Sequence, residues 1–312
     1  MPAQRRAEVG RPRTVAVTAA LGWLGWRLLG PEPMPRYATP QSRPLHLPGR
    51  TVFVGDVELF VREAGPAAAE PLVLLHGWNL DGEHTYHGVI PGLSERFRIV
   101  MPDLRDHGRS EWRRTPVDLA DLADDVAGLL DALGLVGATV VGYSLGGMVA
   151  QVLAVRHPRL VGRLVLAATS AYPVDRLRPA AWAVMRVART VARISRRELT
   201  MATVQILRGG RALRPEHERW MWEGLMRRDP ALSAEVGFAA WRFDGRASLP
   251  AIAVPTLVIV PSRDQVIPPR AQRALVDLLA NATMIEIPGA RHEAILAEPE
   301  TFVDAITKFV TG

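Results

Sequence analysis

Short runs in which almost every position is apolar recur along the chain. They cover residues 72–75, 98–101, 138–141, 164–167, 256–260 and 283–287. A strand that is apolar at successive positions is buried on both faces, which is typical of parallel strands that helices cover on both sides. The runs therefore predict six strands at the centre of a mostly parallel sheet.

Segments with a helical spacing of apolar residues lie between these runs. Helices are predicted over residues 119–133, 147–157 and 271–280, and the stop signals Gly134, Pro158 and Asn281 follow them. Near the start, residues 51–55 and 57–61 alternate around Gly55-Asp56, which predicts a hairpin of two antiparallel strands. Together the elements predict an α/β fold with a doubly wound sheet, in which a functional site lies at the carboxyl ends of the strands.

The interval of residues 172–250, hereafter the insertion, interrupts this alternation. It is rich in Arg, Trp and Met and predicts several helices without a strand, notably over residues 180–193 and 215–228. Residues 51–171 and 251–312 are then expected to form the core of an α/β domain, with the insertion over the active edge of the sheet as a lid. The alternative is an extra helical layer remote from the site.

Residues 1–30 combine a basic leader with an apolar segment, and residues 31–50 form a proline-rich linker. The apolar stretch is shorter than the roughly 20 residues that span a bilayer, and Arg27 near its end would have to snorkel. No small-residue cleavage site is evident, so an uncleaved anchor or interfacial helix is favoured over a removed signal peptide. This predicts membrane association rather than a cytoplasmic protein, with the domain that follows the linker outside if the segment inserts. The alternatives are a helix packed on the domain or a misassigned start.

The composition of the 312 residues is that of a globular protein, with 48% hydrophobic and 22% charged residues. The absence of cysteine excludes disulfides, thiolate zinc sites and cysteine nucleophiles. The net charge of +6 comes from arginine, because Lys308 is the only lysine. No basic run interleaved with aromatic residues indicates nucleic-acid binding, so an anionic lipid surface is the expected acidic partner. The sequence leaves the oligomeric state open.

The most informative local motif is Gly142-Tyr143-Ser144-Leu145-Gly146, which joins an apolar strand to a helix. A serine on such a sharp turn sits in strained backbone geometry with its hydroxyl exposed, and the flanking glycines let strand and helix pack closely. The amide of Leu145 lies in the first helical turn, where N–H groups are unpaired and the helix dipole is positive. The turn therefore predicts a nucleophile beside a donor that stabilises an oxyanion.

Further motifs follow other predicted strands: His76-Gly77-Trp78, the run PDLRDHGRS over residues 102–110, Asp264 in PSRDQVIP and His292 in PGARH. With the serine turn, they make the chain from about Thr51 onward resemble the α/β-hydrolase family, specifically its lidded serine esterase, lipase and haloperoxidase-like members. The resemblance implies that fold and a triad of Ser144, Asp264 and His292. One position departs from the family pattern, since Asp106 stands where glycine is common.

The three triad side chains have complementary tasks. A serine hydroxyl is a poor nucleophile until a base accepts its proton, and His292 follows the last strand, which brings it to the same sheet edge as Ser144. Asp264 is expected to accept the other imidazole N–H and to stabilise the imidazolium. Two alternatives stay open for the acid: Asp264 only caps the helix near Pro269, or Asp175 takes its place.

Around the triad, the amide of Trp78 is predicted to join that of Leu145 as the second oxyanion donor. The predicted walls of the substrate pocket are Trp78, Tyr143, Trp182 and Val266. His76, Asp103 and Arg105 are expected to order loops near the nucleophile turn rather than to react. Neither a metal-ligand cluster nor a phosphate-binding loop is evident, so no metal and no cofactor is expected.

These features predict a cofactor-free serine hydrolase that cleaves small carboxylic esters through an acyl-enzyme. The tryptophans of the insertion suit amphiphilic, lipid-like esters with an apolar acyl chain; they are Trp182, Trp220, Trp222 and Trp241. Two alternatives are left open. One is halogenation or perhydrolysis, which haloperoxidase-like relatives carry out with the same triad, and the other is a non-catalytic receptor that binds a ligand. Ser144 argues against the dehalogenase and epoxide-hydrolase branches, whose nucleophile is aspartate.

Overall fold

The computed structural model describes residues 37–113, 115–172 and 196–312, together with positions 25, 183, 186, 187 and 190. Its strands are β1 (Gly49–Val54), β2 (Val57–Ala64), β3 (Pro71–Leu75), β4 (Arg98–Pro102), β5 (Ala138–Tyr143), β6 (Val161–Ala167), β7 (Thr256–Pro261) and β8 (Ala282–Ile287). Its helices are α1 (Gly82–Tyr86), α2 (Ile90–Ser94), α3 (Leu119–Ala132), α4 (Leu145–Arg156), α5 (Arg196–Gly209), α6 (Glu218–Arg227), α7 (Pro230–Arg242), α8 (Pro269–Leu278), α9 (Ala294–Ala297) and α10 (Pro299–Thr311). Short 3₁₀ turns cover Pro158–Leu160, Pro215–His217 and Leu249–Ala251.

The strands form one eight-stranded sheet in the order β1-β2-β4-β3-β5-β6-β7-β8. Strands β3 to β8 run parallel to one another, while β1 and β2 are antiparallel to their neighbours. The predicted hairpin is present, and Gly55 at its turn has a φ of +60°, a left-handed conformation that favours glycine. The predicted α/β fold with a doubly wound, mostly parallel sheet is therefore confirmed.

The apolar runs differ in how well they predict burial. Every residue of β5 and β7 is buried, as expected for strands with a neighbour on each side. The prediction of burial on both faces is wrong for β8, where Thr283 and Met284 are exposed. The reason is the position of β8 at the end of the sheet, where it pairs with β7 on one side only among the described residues.

The two faces of the sheet enter separate hydrophobic clusters. In β3, Val73 and Leu75 belong to the cluster that α3, α4 and α8 cover, whereas Leu72 and Leu74 belong to the cluster with α1, α2 and α10. This division follows from the period of two along a strand, which sends successive side chains to opposite faces. The sheet is thus the middle layer of three, and its strand ends are held rigidly from both sides.

The helix ends agree with the local signals to within two residues. Helix α3 begins with a capping box between Asp118 and Asp121, and Gly134 lies just beyond its end with a φ of +66°. Helix α8 covers Pro269–Leu278 rather than residues 271–280, because proline is accommodated in the first helical turn. The helix predicted over residues 215–228 is a 3₁₀ turn followed by α6.

The insertion is helical where the structure describes it, with α5, α6 and α7 and no strand among those residues. Helices α5 and α6 join the same cluster as α1 and α2, and Trp220 stacks on His84 of the core with ring centroids 4.2 Å apart. Trp222 is buried in that cluster as well. The helix predicted over residues 180–193 lies outside the described residues, apart from isolated positions.

The predicted basic leader and apolar segment of residues 1–30 lie outside the described residues, with position 25 as the exception. Among the residues that the structure does describe, no helix has both the length and the apolar character needed to cross a bilayer. Part of the predicted linker contacts the folded domain. Ser42 N–H donates to Glu216 of the insertion at 2.7 Å, and Arg43 pairs with Glu83 of the core at 2.7 Å.

Candidate active site

Ser144 occupies the junction of β5 and α4 with φ 52° and ψ −115°, a conformation that side-chain-bearing residues rarely adopt. The neighbouring glycines explain how the junction closes. A Cβ on Gly142 would lie 2.4 Å from the carbonyl oxygen of Gly146, and one on Gly146 would lie 2.0 Å from that of Leu75. The predicted strand, sharp turn and helix are therefore present, and Leu145 is the first residue of the helix.

The fold brings the loop after β3 next to this turn. Strand β3 lies between β4 and β5. After β3 the chain continues to β4 on one side, whereas β5, which leads into the Ser144 turn, lies on the other side. Such a switch point opens a crevice at the carboxyl ends of the two strands. Gly77 lies in it, because a Cβ at this position would be 2.9 Å from the Tyr143 ring and 3.6 Å from Cβ of Ser144. The segments that carry the Trp78 and Leu145 amides thus flank Ser144.

The structure brings the three predicted triad side chains together. Nε2 of His292, in the loop after β8, lies 3.0 Å from Oγ of Ser144. Nδ1 of the same ring lies 2.8 Å from Oδ2 of Asp264, in the loop after β7. Asp264 is buried, and His292 is partly open to solvent. The imidazole is therefore held between a hydroxyl and a carboxylate, while Asp175, the alternative acid, lies outside the described residues.

Four donors surround the carboxylate of Asp264. Its Oδ1 accepts from the amides of Val266 and Ile267, both at 2.8 Å. Its Oδ2 accepts from Nε2 of Gln272 at 2.8 Å as well as contacting His292. Asp264 therefore organises its own turn and contacts the histidine at the same time, so the two roles weighed for it are compatible.

Gln272 is a site residue that the sequence analysis missed. It is completely buried on α8 and also donates to the carbonyl oxygen of Ile267 at 2.7 Å, so it links the Asp264 carboxylate to the end of its loop. A signal was available, because Gln272 stands beside Ala271 and three positions before Leu275, on the buried face of the helix. A buried amide needs partners, which makes such a position informative.

Tyr143 was predicted as a wall of the pocket, and the structure gives it a specific contact. Its hydroxyl donates to the carbonyl oxygen of His292 at 2.5 Å. Burial raises the pKa of Tyr143 well above its usual value, so the hydroxyl keeps its proton for this bond. The residue next to Ser144 thus fixes the backbone of the loop that carries His292.

The other predicted pocket residues are dispersed. Trp78 is half-buried, and its indole Nε1 donates to the carbonyl oxygen of Ser233 at 2.6 Å. Val266 is 52% exposed beside the Asp264 turn. Trp182 lies outside the described residues. Their contribution to a substrate pocket stays a prediction.

His76 orders its loop, as expected from the sequence. Its Nε2 accepts from the amide of Leu104 at 2.9 Å, so Nδ1 carries the proton and donates to the carbonyl oxygen of Gly77 at 2.9 Å. Complete burial lowers the pKa of His76 to about 4, which keeps the ring neutral. The ring therefore joins the loops that follow β3 and β4.

Asp103 and Arg105 also form structural contacts in the loop after β4. Asp103 accepts from the amides of Gly82 and Arg109 at 3.0 and 2.9 Å and pairs with the buried Arg62 at 2.8 Å. Arg105 pairs with Asp125 of α3 at 2.5 Å. These contacts fix the loop against two neighbouring elements, which agrees with the loop-ordering role expected for both residues.

The backbone conformation and hydrogen bond of Asp106 explain why an aspartate can stand where glycine is common in the family pattern. Its φ of +60° is the left-handed conformation that glycine adopts freely and that Asp tolerates better than most residues. Its Oδ1 accepts from the amide of Arg113 at 2.7 Å. Burial raises the pKa of this carboxyl to about 6. The hydrogen bond from Arg113 thus helps to hold Asp106 in a backbone conformation that glycine would adopt freely.

No group of three or more His, Asp or Glu side chains suited to hold a metal ion is found in the part of the chain that the structure describes. The groups that the structure places at the crevice are the Ser144 hydroxyl, the His292 imidazole and the backbone amides around them. An alcohol nucleophile, a base and amide donors are the groups that acyl transfer needs.

Known proteins are similar to this chain in sequence and in overall structure. A family model described as alpha/beta hydrolase fold matches residues 70–201. The pimeloyl-[acyl-carrier protein] methyl ester esterase of Neisseria meningitidis serogroup B is 30% identical over 261 residues, which cover 80% of this chain and 96% of the relative. A hydrolase of Pseudomonas aeruginosa has a similar structure, with a TM-score of 0.74, 29% identity and coverage of 85% of this chain and 98% of that one. The enol-lactonase of Burkholderia xenovorans also has a TM-score of 0.74, with 25% identity and coverage of 84% and 100%.

Proposed function

Because the chain belongs to the α/β-hydrolase family, we propose that it is a serine hydrolase that cleaves carboxylic esters through an acyl-enzyme. Membership supports a hydrolase of the ester-cleaving type, and the Neisseria relative is named as a methyl ester esterase. The single observation that carries the proposal is the hydrogen-bonded chain from Ser144 through His292 to Asp264, with distances of 3.0 and 2.8 Å.

The first half of the reaction forms the acyl-enzyme. Oγ of Ser144 attacks the ester carbonyl carbon while Nε2 of His292 accepts the hydroxyl proton. Asp264 accepts the Nδ1–H hydrogen bond, which selects the tautomer with a free Nε2 lone pair and stabilises the imidazolium. The imidazolium then gives its proton to the leaving alcohol as the carbon–oxygen bond breaks.

The negative charge on the former carbonyl oxygen is stabilised by the amides of Trp78 and Leu145. Leu145 is the first residue of α4, where the N–H is free of intrahelical bonds and the helix dipole is positive. The close approach of Gly77 to Ser144 supports a second donor from the following residue, Trp78. Each such donor is worth roughly a hundredfold or more in turnover in other enzymes.

The second half of the reaction releases the acid. Water replaces the alcohol, gives a proton to Nε2 of His292 and attacks the acyl carbon, and the same two amides hold the oxyanion. The proton returns to Oγ of Ser144 as the acyl–oxygen bond breaks, so the enzyme is regenerated. Water is the only co-reactant that this sequence requires.

The substrate is proposed as an ester with an apolar acyl chain. Trp220 and Trp222 do not support a preference for such a chain, because both side chains are buried where the insertion packs against the core and are not open to a substrate. A preference for longer chains then depends on the half-buried Trp78 and the rest of the insertion. p-Nitrophenyl esters of increasing chain length test it, and a sharp preference for acetate contradicts it.

Labelling with a fluorophosphonate probe tests the proposed activity. The probe reacts with an activated serine, so wild type is expected to be labelled and Ser144→Ala is not. Asp264→Asn is expected to fold and to lose at least about a thousandfold in turnover, because the amide cannot stabilise the required imidazole tautomer. A folded wild type without label contradicts the proposal. Ligand binding without alcohol release supports the non-catalytic alternative.

A further inference from the structure

Three hydrogen bonds connect the segment after Gly77 to the insertion. The Trp78 indole donates to the carbonyl oxygen of Ser233 at 2.6 Å, and the hydroxyl of Ser233 donates to Oδ1 of Asn79 at 2.5 Å. The guanidinium of Arg228 donates to the carbonyl oxygen of Asn79 at 3.3 Å. Two consecutive residues, one of which carries a proposed oxyanion amide, are therefore held by the same stretch of the insertion.

That stretch is a rigid support. Ser233 is buried in the first turn of α7, and Asp229 caps this helix by accepting from the amides of Ala231 and Leu232. Arg228 immediately precedes the cap. The groups that contact Trp78 and Asn79 are thus fixed to a helix end rather than to a loose loop, which is what precise placement of a partner requires.

Asn79 is strained where these contacts meet. Its φ is +67°, a left-handed conformation that is unfavourable for most residues and is tolerated by Asn. Strained residues persist when their surroundings hold them in place, and they cluster at functional sites. Here the backbone carbonyl and the side-chain carbonyl of Asn79 both accept bonds from the insertion.

Arg228 is an unusual residue to find buried at this place. It is 6% exposed, and no carboxylate of the described residues pairs with it. Burial lowers its pKa to about 10, so the guanidinium stays charged at neutral pH. Placing an unpaired cation in the interior costs stability. By contrast, Arg208 of the same insertion pairs with Glu218. The Arg228 guanidinium therefore donates to the Asn79 carbonyl oxygen although its burial lowers the stability of the folded protein.

We propose that Ser233 and Arg228 are positioning residues for the oxyanion hole, which hold the Trp78 amide opposite the Leu145 amide through Asn79. The inference rests on the proposed function, because it assigns these residues a task in the same ester hydrolysis. It means that the insertion contributes to the placement of the oxyanion donors. Displacement of α7 then lowers turnover even when substrate still binds.

A double-mutant cycle tests the proposal. Ser233→Ala removes the hydroxyl, and Asn79→Gly removes its acceptor while allowing the left-handed backbone. Each variant is expected to lower kcat about fivefold to tenfold with little change in KM, because only the transition state uses the oxyanion donors. The double variant is expected to lose no more than either single variant, since both remove the same hydrogen bond.

A tetrahedral inhibitor gives a readout that general destabilisation does not change. A trifluoromethyl ketone forms an oxyanion on the nucleophile, so its Ki is expected to rise in parallel with the loss of kcat/KM. Arg228→Met is expected to behave in the same way, and Arg228→Lys to recover part of the activity. Ser248→Ala is the matched control, because the hydroxyl of this exposed serine of the insertion donates, among the described residues, to the carbonyl oxygen of Gly245 and not to the segment after Gly77.

Wild-type kcat and Ki in Ser233→Ala and Asn79→Gly overturn the proposal, as does a loss confined to KM or an additive double variant. If Arg228→Met does not fold, the Ser233 and Asn79 cycle decides alone. Fluorophosphonate labelling of wild type distinguishes a failure of the proposed function from a failure of this inference. An unlabelled, inactive wild type removes the proposed function, whereas an active wild type with unaffected variants removes only this inference.

Discussion

The hydroxyl of Tyr143 donates a hydrogen bond to the carbonyl oxygen of His292 at 2.5 Å. The rings of the two residues lie 5.5 Å apart. The residue next to the proposed nucleophile thus holds the backbone of the proposed base, so the distance between Oγ and Nε2 is set from both ends. A change at Tyr143 should disturb the alignment of the pair without touching either side chain.

Tyr143→Phe is expected to lower kcat about fivefold to twentyfold with KM nearly unchanged, because small misplacements of a catalytic group are costly. The lost hydrogen bond should also lower the free energy of unfolding by about 1 kcal/mol. Steady-state kinetics and urea unfolding measure the two effects. Tyr86→Phe is the control, since the Tyr86 hydroxyl contacts the carbonyl oxygens of Leu75 and Val141 and not that of His292. Equal losses of kcat in both variants contradict the prediction.

Gln272→Leu is expected to lower kcat about tenfold, because Oδ2 of Asp264 loses one of its two donors and the carboxylate gains freedom to turn away from His292. Kinetics at a fixed pH check the change, with calorimetry to verify folding. Arg273→Ala on the same helix removes the exposed ion pair between Arg273 and Glu286 and should leave kcat unaltered. Normal turnover in a folded Gln272→Leu protein would sink the assigned role.

Gly146→Ala is expected to destabilise the protein by at least about 3 kcal/mol or to prevent its accumulation in folded form, because the new methyl would meet the backbone oxygen of Leu75 at 2.0 Å. Gly209→Ala is the matched comparison, since nothing lies within 4 Å of a Cβ there and the site is helical. That variant should be neutral or stabilised by about 0.5 kcal/mol. Thermal unfolding compares them, and similar melting temperatures contradict the prediction.

Asp106→Asn is expected to stabilise the protein in a pH-dependent way. Burial raises the pKa of Asp106 from 3.8 to about 6 in the folded state, so the unfolded chain loses this proton first as the pH rises. The ionised carboxylate then costs the folded state stability, a cost that grows between pH 4 and 6 and is complete above pH 6. Asparagine keeps the acceptor for Arg113 and avoids that cost.

Urea unfolding of wild type and Asp106→Asn at pH 4 and pH 7 measures this effect. The variant should be more stable by up to about 2 kcal/mol at pH 7 and nearly equal to wild type at pH 4. Asp131→Asn, which changes an exposed carboxylate, controls for the change in net charge. A variant that gains stability only at the lower pH contradicts the sign of the prediction.

Local patterns carried most of the fold and much of the site geometry. The strands could be predicted from their apolar runs. The turn at Ser144 and the positions of Asp264 and His292 could be predicted from the family resemblance and from their places after strands, because parallel strand ends meet at one edge of a sheet. Exposure of β8 could not, since the same apolar run suits an edge or a central strand and only pairing decides between them.

The contacts that support the site could not be predicted from the sequence, for a different reason. Tyr143 meets His292 across 149 positions of sequence, and Trp78 meets Ser233 across 155. No local spacing encodes such pairs, because they depend on how whole elements dock. Gln272 and Arg228 stand out by their burial. For Gln272 on α8, burial of a polar side chain is only partly visible in the apolar periodicity, and Arg228 lies between two helices, where no periodicity applies.

The hydroxyl and imidazole that meet at the crevice come from positions 148 residues apart in the chain. A nascent or refolding polypeptide can form most of its secondary structure and still lack the reaction centre, because long-range closure comes late. Ester turnover should therefore recover after the circular dichroism signal does. An enzyme assay would then report the time at which the last step of folding is complete.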